Sequence, residues 1–335
     1  MKAIVLRETG GPEKLKIEEV PTPEPQAGEV RVKLKTAALN RRDYWITVGR
    51  YPGINLPCIF GSDGAGVVDA VGPGADATLQ GKEVLVYPAR AWGNESHRFG
   101  PEFRVLGMPD QGTFADYICT PATDVVAKPA HLSWEQAAAV PLAGLTSWRA
   151  AVTQVELKKG QKLLVTAAGS GVSTFAVLWG VHLGAEVWVT SGSEEKIAKA
   201  KSIGAQGGVS YRDPECGAKL RKLSGGFDAI IDSAGGDGLN ALLDTLNPAG
   251  RYVFFGATLG MPSKGLELPK LFFRHIRIQG TTMGTPAEFR AMVDFVAQKK
   301  IVPVVDRVLP MAKAIEAHKL METFAQTGKI VLKIE

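Results

Sequence analysis

Residues 161–196 read QKLLVTAAGSGVSTFAVLWGVHLGAEVWVTSGSEEK, and this stretch decides the fold class. Leu163, Leu164, Val165 and Thr166 form a short apolar run of the kind buried on both faces of a parallel sheet. Ala167, Ala168, Gly169, Ser170 and Gly171 make a turn of small residues. Apolar side chains then recur at helical spacing at Val172, Phe175, Ala176, Leu178, Trp179 and Leu183. Gly184 stands where a helix would stop, and Ala185 to Thr190 is a second strand-like run. Strand, glycine turn, helix and strand make one βαβ unit.

The turn is a candidate phosphate cradle. Gly169 and Gly171 let the backbone bend sharply and approach a ligand, and a helix starting near Val172 aims free N–H groups at a pyrophosphate. The dinucleotide fingerprint asks for a third glycine where this chain has Thr174, so the spacing alone also fits a tight turn with no ligand. The flanking strands and helix favour the nucleotide. An acidic residue at the end of the second strand, roughly 20 residues on, would hold the ribose hydroxyls of NAD. Here Thr190, Ser191, Gly192 and Ser193 stand there, followed by Glu194, Glu195 and Lys196. Small hydroxyls and a lysine accept a 2′-phosphate that an aspartate would repel, so the pattern predicts NADPH over NADH. Ser193 with its two glutamates also reads as an ordinary capped helix start, and the two roles are compatible.

At 335 residues the chain exceeds one typical core, and two domains are expected. A net charge of +5 carried by scattered basic residues predicts no nucleic-acid surface. Cys58, Cys119 and Cys216 are too few and too far apart for a disulfide framework or a zinc cluster, and they suit a reducing compartment. The opening MKAIVLRETGG starts as a strand without a signal-peptide core, and no apolar run is long enough to span a membrane. The expectation is a cytoplasmic enzyme with a small-molecule substrate and neither a nucleic-acid nor a membrane partner.

Residues 1 to about 123 read as all-β. The strands expected are Met1–Leu6, the alternating Glu29–Ala37, Gly64–Val71, Glu83–Tyr87, Thr113–Ile118 and Asp124–Lys128, with glycine and proline turns between them. Residues 89–112 read as one long polar loop. Ser133 caps an alanine-rich helix with Gln136 as its capping-box partner, and Pro141 breaks that helix in two. Beyond the opening βαβ unit, strands at 208–211, 227–232, 250–255 and 276–280 alternate with helices, which means a parallel sheet. Its strands end in small residues, Ser233–Gly236 and Gly256–Ala257, and ligands of such sheets lie at the carboxyl ends of the strands.

Five stretches together resemble the medium-chain dehydrogenase/reductase superfamily across essentially the whole chain. They are GGPEKLKIEEVPTPEPQAGEVRVKLKTAALN (10–40), GSDGAGVVDAVGPGA (61–75), AAAVPLAGLTSWRA (137–150), AAGSGV (167–172) and FDAIIDSAGG (227–236). The resemblance implies an α/β protein with a GroES-like β-barrel domain, residues 1–123 and 281–335, and a Rossmann doubly wound parallel-sheet domain, residues 124–280. It also implies hydride transfer in the cleft between the domains and a homodimer made by edge strands around residues 251–280.

Zinc-dependent alcohol dehydrogenases of the superfamily carry a cysteine where this chain has Asn40, and a histidine and glutamate where it has Ser62 and Asp63. Their third ligand, a cysteine, falls around Leu142–Gly144, and their structural-zinc lobe needs four cysteines that 89–112 lacks. Asp63 alone cannot supply the three protein ligands of a catalytic zinc, and Glu95 and His97 read as solvated loop residues, so no metal is expected. The zinc-free branch looks like the quinone oxidoreductases and enone reductases, whose acceptors delocalise the developing charge themselves. On this resemblance Asn40 faces the nicotinamide side and its amide orients a carbonyl oxygen. The segments 40–45 and 49–52 match the branch, with Trp45 standing where several members have a tyrosine. That leaves a phenol donor to Tyr44, to Tyr51 or to neither, and Tyr44 and Trp45 also read as core packing. The resemblance carries Gly169, Ser170, Gly171 and Val172 over as the phosphate turn, and Thr146, Phe255, Gly256 and Ala257 as neighbours of the nicotinamide. It carries Ser191, Ser193, Lys196 and Tyr211 over as the 2′-phosphate pocket, although Tyr211 equally reads as a strand-edge aromatic. The sequence does not place Arg212. The rival readings are a zinc-dependent alcohol dehydrogenase with atypical ligands and a non-catalytic NADPH-binding protein.

Overall fold

Residues 1–334 are described by a computed structural model. In it the deciding stretch folds as read: Lys162–Val165 is a strand, Gly171–His182 a helix and Glu186–Ser191 the next strand. Ser170 caps the helix, its hydroxyl accepting from the Ser173 N–H at 3.0 Å, which satisfies one of the donors a helix start leaves over. Leu163, Leu164 and Val165 are fully buried, as a central parallel strand requires.

Contacts divide the chain into two compact units, Met1–Ala143 with Thr285–Glu335, and Gly144–Gly284. Sequence alone suggested divisions at 123/124 and 280/281. The stretch 124–143 sits with the first unit because the Val125–Ala127 strand pairs with Glu83–Val86 and the Thr36 hydroxyl donates to the Trp134 carbonyl at 2.6 Å.

The second unit is built on six parallel strands in the order Gly207–Ser210, Glu186–Ser191, Lys162–Val165, Phe227–Asp232, Leu246–Phe254, Arg277–Gly280. The order runs outward from Lys162–Val165 in both directions. That reversal opens a crevice at the carboxyl ends of Lys162–Val165 and Phe227–Asp232, where doubly wound sheets bind ligands. The α/β, Rossmann-type reading of this unit therefore holds.

The first unit is β-rich. Its largest sheet runs Val125–Ala127, Glu83–Val86, Asp63–Val71, Glu29–Ala38, Lys329–Lys333, Val305–Pro310, with Tyr117–Pro121 also on Glu29–Ala38. The alternation of Glu29–Ala38 buries Val30, Val32 and Leu34 in a core with Phe60, Val68, Val84, Phe114 and Leu332. The Lys329–Lys333 strand, from the far end of the chain, lies antiparallel beside Glu29–Ala38 with Val331 opposite Ala38. On the other side of Glu29–Ala38, Asp63 pairs with the same Ala38.

Some local expectations shift. The strand expected at Thr113–Ile118 forms at Tyr117–Pro121, because Thr113 and Phe114 instead donate to the Gly61 and Phe60 carbonyls at 2.9 and 2.8 Å. The 89–112 segment is not uniformly polar. Trp92 is buried, with Phe103 at 5.4 Å and Phe99 at 6.1 Å, and a short pair of strands, Ala89–Arg90 and Arg104–Val105, closes its base. The capping box at Ser133 and Gln136 is present, and the helices are Trp134–Ala139 and Pro141–Trp148, the second running into a π-helical turn, Arg149–Gln154.

Candidate functional site

In the second unit, Ala167 and Gly169 both have positive φ, 50° and 112°, and turn the chain out of the first strand. Only glycine adopts the second value freely. A side chain at Gly169 would also be blocked, since its Cβ would lie 2.6 Å from Lys196 Cδ; the aliphatic stem of Lys196 crosses the turn. The Ser191 hydroxyl is buried, donates to the Ala168 carbonyl at 3.2 Å and accepts from the Ser193 N–H at 3.3 Å. Ser193 caps the helix Glu194–Ser202. A Cβ on Gly192 would fall 2.4 Å from Tyr211 Oη and 3.2 Å from Arg212 Nε, so both side chains lie directly on the Gly192 backbone. The turn and the corner Thr190–Ser193 thus gather Lys196, Tyr211 and Arg212 with two serines. Arg212 is the member that sequence alone left unplaced. Its position follows from the parallel pairing of Ser191 with Ser210, which brings the residues after both strands together.

At the neighbouring strand end Asp232 organises the other lip of the crevice. Its carboxylate accepts from the Thr166 hydroxyl, from the Ala234 and Gly235 N–H groups at 2.9 Å each, and from the Tyr252 hydroxyl at 2.8 Å. Burial beside this carboxylate pushes the Tyr252 phenol well above the ordinary tyrosine range. Phe255 follows, its N–H donating to the Asp232 carbonyl at 3.0 Å, and Gly256 packs against Ser233. Thr146 is buried in the helix Pro141–Trp148. A strand's last residue carries no sequence signal of this role, which is why Asp232 escapes a reading of the sequence. A helix N-terminus behind a left-handed glycine suits the pyrophosphate of a dinucleotide.

In the first unit, Asn40 lies two residues beyond the Glu29–Ala38 strand, at the N-cap position of the helix Arg41–Thr47. Val331 and Asp63 both stand opposite Ala38 in antiparallel pairings, so two residues past Ala38 the chain brings Asn40 beside Lys329, while the Asp63 side chain reaches Asn40 diagonally. The Lys329 ammonium donates to Asn40 Oδ1 at 2.6 Å, to Asp63 Oδ2 at 2.8 Å and to the Leu39 carbonyl at 2.6 Å. Asn40 Nδ2 donates to Asp63 Oδ2 at 2.9 Å, and Asp63 Oδ1 accepts from the Leu142 N–H at 2.7 Å. All three side chains are buried, Asp63 at 0%, Lys329 at 3% and Asn40 at 6% exposure. Lys329 carries no motif and was missed by sequence reading.

Around this cluster Asp43 Oδ2 accepts from the Asn40 N–H at 2.8 Å, and burial raises the Asp43 pKa to about 6. Arg42 donates to Ser62 Oγ at 2.9 Å and to the Leu106 and Met108 carbonyls at 3.0 and 2.7 Å, and lies 5.0 Å from the ring centre of Tyr51. The Tyr44 hydroxyl donates to Glu322 at 3.0 Å; burial first, then this bond, raises its pKa. Tyr51 is half-buried.

The positions that the resemblance compares with zinc ligands, Asn40, Ser62 with Asp63, and Leu142–Gly144, do not offer a zinc donor set. Asn40 and Asp63 are engaged with an ammonium, Ser62 Oγ donates to the Leu106 carbonyl at 2.7 Å while accepting from a guanidinium, and no sulfur or imidazole stands among them. A cation brought there would meet Lys329 and Arg42 first. Among the described residues no group of three His, Cys, Asp or Glu could hold a metal ion. Burial lifts the Cys58 thiol to about 12, far from the thiolate a metal needs. Among the same residues no helix is long and apolar enough to cross a membrane.

A two-unit chain with a doubly wound, Rossmann-type sheet and a β-rich unit with a buried polar cluster is the architecture of a pyridine-nucleotide-dependent oxidoreductase acting on a small molecule. Residues 26–130 match the family model described as alcohol dehydrogenase GroES-like domain, and residues 171–298 the one described as zinc-binding dehydrogenase. The zinc-type alcohol dehydrogenase-like protein YogA of Leptosphaeria maculans is 35% identical, over 96% of this chain and 94% of its own. A quinone oxidoreductase of Pseudomonas aeruginosa is 30% identical, over 99% of both chains. The crystal structure of an NAD-dependent alcohol dehydrogenase superposes with a TM-score of 0.94 at 38% identity, covering both chains completely. The chain belongs to the medium-chain dehydrogenase/reductase superfamily.

Proposed function

We propose that this protein is an NADPH-dependent, zinc-independent reductase of conjugated acceptors, quinones or enones. The observation that carries this reading is the Lys329 ammonium seated on Asn40 and Asp63, where zinc-dependent relatives place metal ligands. Without a Lewis acid at that point, an acceptor that spreads the developing negative charge through its own conjugation is the one the residues suit. Bound NADPH supplies a hydride from its nicotinamide C4. The chain supplies the rest. Asn40 Nδ2–H donates to the acceptor's carbonyl oxygen as the electron pair moves onto it, and a proton from Tyr51 or water completes the reduction. Tyr51 suits that role better than Tyr44, whose proton is committed to Glu322.

The preference for NADPH is supported by Lys196, Tyr211 and Arg212 converging on a corner with no acidic residue from Thr190 to Ser193. One similar structure is that of an NAD-dependent alcohol dehydrogenase, and NADH is the competing reading. The test measures binding and oxidation of NADPH and NADH by purified protein with 1,4-benzoquinone and 2-cyclohexenone, alongside zinc analysis and Asn40→Ala. Oxidation of NADPH only when acceptor is added, with turnover lowered at least tenfold in Asn40→Ala at unchanged NADPH affinity, is expected. Binding without turnover leaves a nucleotide-binding protein; preference for NADH overturns the role of Lys196.

A homodimer belongs to the same proposal. The Arg277–Gly280 strand pairs on one side only, and Phe272 and Phe273, shortly before it in sequence, are 59% and 77% exposed. Light scattering of Phe272→Ser/Phe273→Ser, which should be monomeric, checks it.

A further inference from the structure

An asparagine side chain turns end for end at little intrinsic cost, since its last torsion is broad and roughly two-fold. At Asn40 the two ends are not equivalent. As found, the carbonyl oxygen faces the Lys329 ammonium at 2.6 Å and the NH2 faces Asp63 at 2.9 Å. Turned over, NH2 would face ammonium and carbonyl would face carboxylate, two repulsions in place of two charge-assisted bonds. The Lys329 ammonium has three protons and three acceptors in the chain, so it offers none to a substrate. Asp63 accepts three bonds, from the Leu142 N–H on one oxygen and from Asn40 and Lys329 on the other, and as a carboxylate it has no proton to donate. Asn40 Nδ2 has two protons and gives one to Asp63.

We propose that Lys329 and Asp63 are positioning residues whose opposite charges lock the Asn40 amide with its second N–H as the donor of the site. The ammonium bonded to the amide oxygen also draws electron density from the nitrogen, making that N–H a stronger donor. A built-in cation thus acts through Asn40. This rests on the assignment of Asn40 to the acceptor's oxygen, and it names the two residues that make the assignment work.

The test compares Asn40→Ala, Lys329→Met, Lys329→Ala and the double variant Asp63→Asn/Lys329→Met, the last removing both charges so that neither is stranded. Turnover of 2-cyclohexenone and of 1,4-benzoquinone is read at saturating NADPH, with NADPH affinity and melting temperature read on the same samples. Asn40→Ala, Lys329→Met and the double variant should each lose roughly ten- to hundredfold in kcat with NADPH affinity within twofold. Methylammonium chloride, able to fill the hole in Lys329→Ala, should restore several-fold of its turnover and raise its melting temperature relative to tetramethylammonium chloride, with neither effect in the unaltered protein. If Asn40→Ala is slow while the folded double variant turns over within twofold of the unaltered protein, the positioning role is overturned and Asn40 stands. If Asn40→Ala itself is unimpaired, both fall. A Lys329→Ala variant indifferent to methylammonium in melting and in rate also overturns the cage.

Discussion

His318 should make the first unit acid-labile by an amount that can be worked out. The ring is fully buried, 6.2 Å from Phe60 and 6.1 Å from Phe114, centre to centre. Nδ1 bonds the Ala314 carbonyl at 2.7 Å, and Nε2 is buried without a partner. A proton on Nε2 would sit unsolvated among aromatic rings, and burial lowers the pKa to about 4 from an ordinary 6.5. The folded value lies below the unfolded one, so as the pH falls through 6.5 the unfolded chain takes the proton first. Stability is whole above 6.5 and drains away towards 4. Linkage gives a loss of about 2 kcal/mol between pH 7 and pH 5, and about 3 kcal/mol by pH 4, from this residue alone. His318→Leu removes the titration and leaves every other group in place. Native-state hydrogen exchange of amides in the Asp63–Val71 strand, at pH 7 and pH 5, reads the first unit by itself. The stability gap between the two proteins should shift by about 2 kcal/mol in favour of His318→Leu on going to pH 5. A shift below roughly 0.5 kcal/mol would mean that the imidazole finds a proton acceptor on Nε2, and the reasoning from burial fails.

Asp43 carries the opposite sign. Its folded pKa, about 6, lies above the ordinary 3.8, so the folded protein takes the proton first, and the cost of burying the carboxylate is relieved as the pH falls through 6. Asp43→Asn should therefore be the more stable protein at pH 7.5, by at most about 3 kcal/mol, with the gain shrinking towards pH 4 in urea unfolding. Gly169→Ala forces a φ of 112° on a residue with a side chain and pushes its Cβ into the Lys196 stem. It should lose roughly 1–3 kcal/mol of stability and bind NADPH more weakly by fluorescence titration. Lys196→Ala should weaken NADPH roughly 10- to 150-fold, the worth of one charged hydrogen bond, and NADH less than threefold. Equal losses for the two nucleotides would place the lysine elsewhere.

How much of this was legible depended on how local each feature is. Ser170, Ser133 with Gln136, and Pro141 act within a few residues of themselves, and caps and breaks appear where the sequence puts them. The Lys162–Ser191 unit was legible for the same reason, since a buried strand, a small-residue turn and a helical stripe are each written in consecutive residues. Thr113 and Phe114 were misread because their bonds to Gly61 and Phe60 cross some fifty residues and override a strand-like pattern. The aromatic cluster of Trp92, Phe99 and Phe103 likewise hides in a composition that reads as a polar loop.

The α/β class and the strand–turn–helix–strand unit at 162–191 were written in the residues alone, because periodicity and glycine placement are local properties, and so was the absence of cysteine or histidine at Asn40, Ser62 and Asp63. Only the tertiary structure decided what those positions do. Register is set by pairing across the sheet, and it is the pairing of Ala38 with both Asp63 and Val331 that carries Lys329, 289 residues away, onto Asn40. It is parallel pairing of Ser191 with Ser210 that sets Arg212 against Gly192. A charge finds its partner through space, and no spacing along the chain records that distance.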